Sequence, residues 1–209
     1  MRSFYQSRLI VCALLIVAGM FCCGFWGSTK KDIDVKGIKS VAIVPFQYAH
    51  FKDFSEKAGD IVAENMNDIF ADKCEWTCTP VDQVKAAMKE LKIKPKNPMT
   101  EANAKAIGDK LGVDMVIYGN LPVYDENEGS REIMESGGGG FTENIRELKV
   151  EYDMFLVKVS DGSLIINVQM DRKERDTAKH PMQPDPPENQ LKNATRGMTK
   201  KLAKRFIME

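Results

Sequence analysis

The sequence has very little histidine, no excess of charge of either sign and only one long apolar run. His50 and His180 are the two histidines among 209 residues, so few side chains could serve as a general base at neutral pH. There is no Gly-x-Ser-x-Gly elbow for a nucleophilic serine. The glycines at 137–140 neither follow a strand nor open a helix, and no Gly-Lys-Ser/Thr accompanies them, which excludes a phosphate-binding loop. Thirty Lys and Arg cancel thirty Asp and Glu, and neither sign forms a long block, so no basic surface for nucleic acid is expected. The pairs Asp125/Glu126 and Glu126/Glu128 lack the spacing of a complete calcium loop and read as a solvated acidic turn. No cofactor, metal site or catalytic constellation is expected.

Cysteine is also sparse. Only Cys74 and Cys78 lie beyond the first 26 residues, spaced Cys-x3-Cys with no histidine nearby, which is a poor zinc signature. In an oxidising compartment the pair is a candidate local disulfide, provided the chain bends between them. The alternative is two small residues packed at a strand edge.

What the chain does have is an export segment. Arg2 and Arg8 precede thirteen uncharged residues, Leu9 to Phe21, and Cys22-Cys23-Gly24 closes the run. Charge, apolar stretch and small residues in that order read as a bacterial secretory signal, and the cysteines point to a lipid anchor at Cys23 or Cys22. Leu9 to Trp26 is eighteen residues, near the minimum for a spanning helix, so an uncleaved anchor and a cleaved soluble protein remain alternatives. Each places 29–209 outside the cytoplasm, with 1–28 as the signal or anchor segment.

The remaining chain is one domain's worth of alternating elements. Ser40–Phe46 (SVAIVPF) is a buried strand. Asp53 with Glu56 resembles a capping box for a helix whose apolar positions are Phe54, Ala58, Ile61, Val62, Met66, Ile69 and Phe70. Glu75–Thr79 is a short strand, and Thr79-Pro80 opens a second helix with Val81, Val84, Ala87, Met88 and Leu91 as its stripe. A third helix runs from near Thr100 to Leu111, with Gly112 as its left-handed stop, and Val113–Gly119 follows as a strand. Polar residues 125–147 show no period and read as a flexible insertion. Lys149–Val159 and Leu164–Met170 alternate about a turn at Asp161-Gly162, forming a hairpin. Residues 172–190, with four prolines, read as a loop. Leu191–Met208 is an amphipathic helix carrying Lys192, Arg196, Lys200, Lys201, Lys204 and Arg205 on its polar faces.

The order VAIVPF, apolar helix, short strand, helix, then Ala104-KAIGDKLGVDMVIY-Gly119 and a strand pair turning at Asp161-Gly162 resembles an envelope domain. It is shared by curli secretion lipoproteins (CsgG-like) and lipoprotein activators of penicillin-binding proteins (LpoB-like). The resemblance spans roughly residues 38–207. It implies an α/β fold, a single three-layer-like sandwich with a mixed sheet of about five strands and helices packed against it. It also implies action by protein contact at a bacterial membrane.

The expected function is therefore that of a non-enzymatic envelope lipoprotein, most readily at the periplasmic face of the outer membrane. It would bind a protein partner in secretion, surface assembly or cell-wall synthesis. Candidate contact residues are Gly137, Gly138, Gly139 and Gly140 together with Lys200, Lys201, Lys204 and Arg205. A second reading is an oligomeric outer-membrane secretion channel subunit. The apparently unpatterned 125–147 argues against it, because barrel hairpins alternate apolar and polar residues. A third is a small periplasmic hydrolase or ligand-binding protein. A homo-oligomer is compatible with the first two.

Overall fold

The computed structural model describes residues 32–48, 55–95, 97–135, 137–180 and 182–208. The lipidation candidates Cys22 and Cys23, together with His50, Asp53 and Phe54, lie outside the described residues. In chain order the elements are β1 (Ile33–Asp34), β2 (Ser40–Ile43), β3 (Gln47–Tyr48), α1 (Ser55–Cys74), β4 (Thr77–Thr79), α2 (Val81–Glu90) and α3 (Glu101–Leu111). They continue with β5 (Met115–Met134), β6 (Gly140–Lys158), β7 (Leu164–Lys179), α4 (Pro187–Ala203) and β8 (Phe206–Ile207).

Strand β2 shows why the fold has three layers. Successive side chains of a strand point to opposite faces. Val41 and Ile43 enter one core with α1 and α4, while Ala42 and Val44 enter a second core with α2 and α3. β5 repeats the division, with Met115 and Ile117 on the first side and Val116 and Tyr118 on the second. A strand buried on both faces has to be apolar along its buried length, and VAIV and MVIY, following the half-buried Ser40 and Asp114, fit that demand.

The main sheet has six strands, ordered β4-β2-β5-β6-β7, with β3 also pairing β5, and β1 and β8 form a separate parallel pair. The expected sheet of about five strands is thus one strand short. β2 runs parallel to β4 and β5, whereas β5, β6 and β7 are antiparallel, so the sheet is mixed.

The segment Ala104–Gly119 is scaffold throughout. Thr100 caps α3 by accepting from the Asn103 amide at 3.2 Å, and Gly112 stops it in the left-handed region at φ 68°. A Cβ on Gly108 would lie 2.2 Å from Val159 Cγ2, so only glycine lets α3 approach β6. Asp114 then joins the starts of β2 and β5. Its Oδ2 accepts from the amides of Lys39 and Ser40 at 2.9 Å each and from Ser40 Oγ at 2.8 Å. These bonds, led by the Lys39 amide, hold the Asp114 carboxyl below the usual carboxylate range.

The hairpin about Asp161-Gly162 forms as expected, with Gly162 at φ 74° and Asp161 Oδ1 accepting from the Ser163 amide at 2.9 Å. Three expectations need correction. Residues 125–147 are not a flexible insertion: 125–134 and 140–147 are paired strand, the outer parts of β5 and β6. Most of 172–190 is likewise not loop, since β7 continues to Lys179 and α4 begins at Pro187 with Pro186 as its N-cap. Proline costs nothing at that helix start, because its missing N–H would have no intrahelical partner. Finally, α4 ends at Ala203. Phe206 leaves the helix to pair with Ile33 and packs its ring against Phe70 and Trp76, with centroids 5.7 and 5.2 Å apart.

Smaller differences follow local chemistry. Pro80 is the N-cap of α2 and not its first helical residue, and no side chain caps that helix. Cys74 and Cys78 are both free thiols, Cys74 buried and Cys78 half-buried, so the candidate disulfide is not formed. Glu75, at φ 56°, supplies the bend between them. Burial pushes both thiols up to about 11.

Candidate protein-contact site

The structural feature with no scaffolding duty is an arm built from the outer parts of β5, β6 and β7. β5 has parallel neighbours only as far as Leu121, and beyond a register shift at 120–123 its remaining described neighbour is β6. Residues 125–134 pair with 140–149, and 143–149 pair with 173–179. At about 3.4 Å per residue, the ten positions of 125–134 give an arm roughly 30 Å long.

Alternation in the arm is of charge and not of hydrophobicity. On the face continuous with buried Leu148 and Val150, Arg146 is flanked by Glu128 on β5 and Asp176 on β7. Its guanidinium donates to Glu128 Oε1 at 2.9 Å and lies 3.2 Å from Glu126 Oε1. It also donates to the carbonyls of Asp185 at 2.7 Å and Pro184 at 3.3 Å, which ties the 182–186 connection across the arm. Asp176 fixes the same connection by accepting from the Asp185 amide at 2.6 Å. Desolvation raises the Glu126 carboxyl, against the pull of Arg146.

The opposite face carries Glu143, Ile145, Glu147 and Lys149 of β6. Glu147 receives Lys173 at 2.8 Å and Arg175 at 3.7 Å, Arg131 reaches Glu143 at 2.6 Å, and Lys149 reaches Glu151 at 2.9 Å. The Lys173 hydrogen bond lowers the Glu147 carboxyl, and the Glu151 hydrogen bond raises the Lys149 ammonium. The Glu147 and Glu143 pairs are cross-strand, whereas Lys149–Glu151 lies within β6, and all are open to solvent screening.

The tip is different. Glu135 and Gly139 exchange a 2.7 Å backbone bond around Gly138, whose φ is 87°. Ile133 pairs with Phe141, and the Lys179 ammonium sits 4.2 Å above the Phe141 ring. Met134, opposite Gly140, is 83% exposed. Met182, 71% exposed, lies further back along the arm, where its carbonyl accepts at 2.8 Å from Nδ2 of Asn144, the residue opposite Ser130. The arm is thus charged along its length and apolar at its end.

The sequence candidates divide accordingly. Gly137–Gly140 close the arm and form part of this site. Lys200, Lys201, Lys204 and Arg205 lie at the far end of α4, next to β8, and are not brought together with the glycines. Lys200 and Arg196 face Asp72 on α1, whose carboxyl is lowered first by Lys73 and then by these two cations. His180 is exposed at the end of β7, its amide bonded to the Thr142 carbonyl at 2.9 Å. Sequence reasoning missed Arg146, Glu147, Lys173 and Arg175, and it read Glu126 and Glu128 as a solvated acidic turn where they lie in strand β5 and pair with Arg146. The signal was present as like charges two apart (Glu126/Glu128, Lys173/Arg175), the strand period written in charge.

A shallow pocket of about 310 Å³ lies between the 36–38 turn and Lys158–Ser160. Its one carboxylate, Asp114, is already engaged by Lys39 and Ser40.

No protein-family model matches the chain, and a search of curated proteins finds no significant relative. Among solved structures, the C-terminal domain of LpoB from Salmonella enterica is 18% identical over 65% of this chain and 83% of its own, with a TM-score of 0.38. The PelC dodecamer from Paraburkholderia phytofirmans is 11% identical over 86% of this chain and 95% of its own, at 0.44. A lipoprotein from Neisseria meningitidis is 12% identical over 65% and 80%, at 0.39. These neighbours include LpoB and another bacterial lipoprotein, whereas the curli-secretion resemblance is not supported. At these identities and scores the likeness defines no function for this chain.

Proposed function

We propose that this chain is a non-enzymatic envelope lipoprotein that works by protein contact, with the arm as its contact element. The partner would belong to secretion, surface assembly or cell-wall synthesis. The observation that carries this reading is the arm: about 30 Å of paired strand, charged on both faces, which ends in the exposed side chain of Met134 next to the Ile133–Phe141 pair. The leader ending in Cys22-Cys23 supports an anchored location outside the cytoplasm.

The channel reading is weakened by a different argument from the one the sequence offered. The arm has the strand length for a barrel, but both of its faces are charged. A membrane-spanning strand presents an apolar band to lipid. Here one face holds Glu126, Glu128 and Arg146 and the other Arg131, Glu143 and Glu147.

The test is site-specific photo-crosslinking in the native cells from position 134, with position 164 as control. The expected result is one reproducible envelope protein joined from 134 and not from 164, lost on Ile133→Ser with Phe141→Ser. Equal labelling from both positions, or none from 134, would overturn the reading.

A further inference from the structure

The two edges of the arm carry opposite charge. β5 and β7 flank β6, and over the arm each has β6 as its one strand neighbour among the described residues. Both therefore present unpaired backbone donors and acceptors along their outer sides. The β5 edge, 125–134, holds four carboxylates (Asp125, Glu126, Glu128, Glu132) against Arg131. The β7 edge, 172–179, holds four cations (Arg172, Lys173, Arg175, Lys179) against Glu174 and Asp176.

Pairing within the arm does not cancel this polarity. Glu126 and Glu128 share the single guanidinium of Arg146, and Lys173 and Arg175 share the single carboxylate of Glu147. Each edge is left with a surplus of its own sign. No carboxylate pairs with Lys179, which sits over the Phe141 ring, and no cation pairs with Glu132 among the described residues. Natural edge strands are usually protected by like charge, by proline or by a covering element. Here 125–134 and 172–179 contain no proline.

We infer that the arm is a self-association device: the acidic β5 edge of one copy pairs with the basic β7 edge of the next. Pairing β5 with β5, or β7 with β7, would set like charges against each other, so the two-fold arrangement is disfavoured. The contact is head-to-tail and generates a ring or an open filament. β5 and β7 run in the same direction, both antiparallel to β6, so copies related by rotation about the arm's long axis join in parallel. The tip stays outside this contact, which leaves the proposed partner reading independent of it.

The test uses the full-length chain in detergent, by sedimentation and native mass spectrometry. The expected result is an assembly of more than two copies whose half-assembly concentration rises at least about tenfold between low salt and about 0.5 M NaCl. Lys173→Glu with Arg175→Glu, both away from the tip, makes both edges acidic, and Asp125→Lys with Glu132→Lys makes both basic. Each variant alone is expected to be monomeric, and an equimolar mixture to reassemble. A wild-type monomer at all concentrations, or folded monomeric variants that do not reassemble when mixed, overturns the inference. If either double variant does not fold, Glu132→Lys and Lys173→Glu singly reduce the surplus of the β5 edge and cancel that of the β7 edge; each is expected to raise the half-assembly concentration, and no rise with either overturns the inference. Loss of assembly with the position-134 crosslink retained would separate this inference from the partner reading.

Discussion

Arg146 is the residue on which the arm's order should depend, and its removal is the sharpest test of how the arm is held. Its side chain is 15% exposed, whereas Glu126 and Glu128 are 28% and 62% exposed. Replacement by alanine removes the shared cation of two carboxylates and the two bonds from Arg146 to the 182–186 connection, leaving those from Asp176 and Asn144. A fully buried pair broken on one side costs about 3–5 kcal/mol, and the exposure of Glu128 brings this to about 2 kcal/mol. The loss should appear as local opening of the arm and not as global unfolding, since the core lies elsewhere. Amide exchange at 126–134, 140–147 and 173–179 should quicken about 30-fold, the equivalent of about 2 kcal/mol at tenfold per 1.4. Exchange at Ile43, Ile117 and Leu156 should not change. Glu126 adds a sign. Its folded carboxyl is raised, so the folded arm binds protons more readily than the unfolded chain and loses stability as pH rises through its titration. Without Arg146 that effect grows, so acidification should partly restore protection in the variant. Uniform acceleration of arm and core, or protection that falls on acidification through the Glu126 range, would refute the reasoning.

The scaffold makes three further predictions. Asp114→Ala removes the clamp between β2 and β5 and should cost about 2–3 kcal/mol in denaturant unfolding at pH 7. Because the folded Asp114 carboxyl is lowered, its contribution is complete above the ordinary carboxylate range and is lost as pH falls through the folded value. Wild type and variant should therefore converge in acid. Gly108→Val should destabilise by about 1–3 kcal/mol or more, because its Cβ meets Val159, and Val159→Ala should recover part of the loss. Cys74 and Cys78, pushed up to about 11, should react slowly with iodoacetamide at pH 8 in the folded protein and rapidly in urea. Fast labelling of the native state would contradict the burial assigned to them.

Sequence pattern was a good guide where burial decided the structure. SVAIVPF, the Thr100–Gly112 helix with its stops, and the Asp161-Gly162 hairpin were legible because each is written in local chemistry: apolar runs, a capping hydroxyl, a glycine at positive φ. Phe206 could not be placed in this way. Its spacing fits the α4 stripe, and only the aromatic packing with Phe70 and Trp76 and the pairing with Ile33 draw it into β8.

The arm marks the boundary between the two kinds of information. The sequence by itself determined an α/β order with both sheet faces buried, and it carries none of the common catalytic motifs. These follow from composition and from periods of 2 and 3.6 in hydrophobicity. Only the tertiary structure decided that 125–147 is strand, that Glu126 and Glu128 meet Arg146, and that Lys173 and Arg175 meet Glu147. A strand with neither face in the core has no hydrophobic period to read. Its order comes from backbone pairing with partners as distant as Glu143 and Lys179, and from charges whose meaning appears only when register sets them side by side.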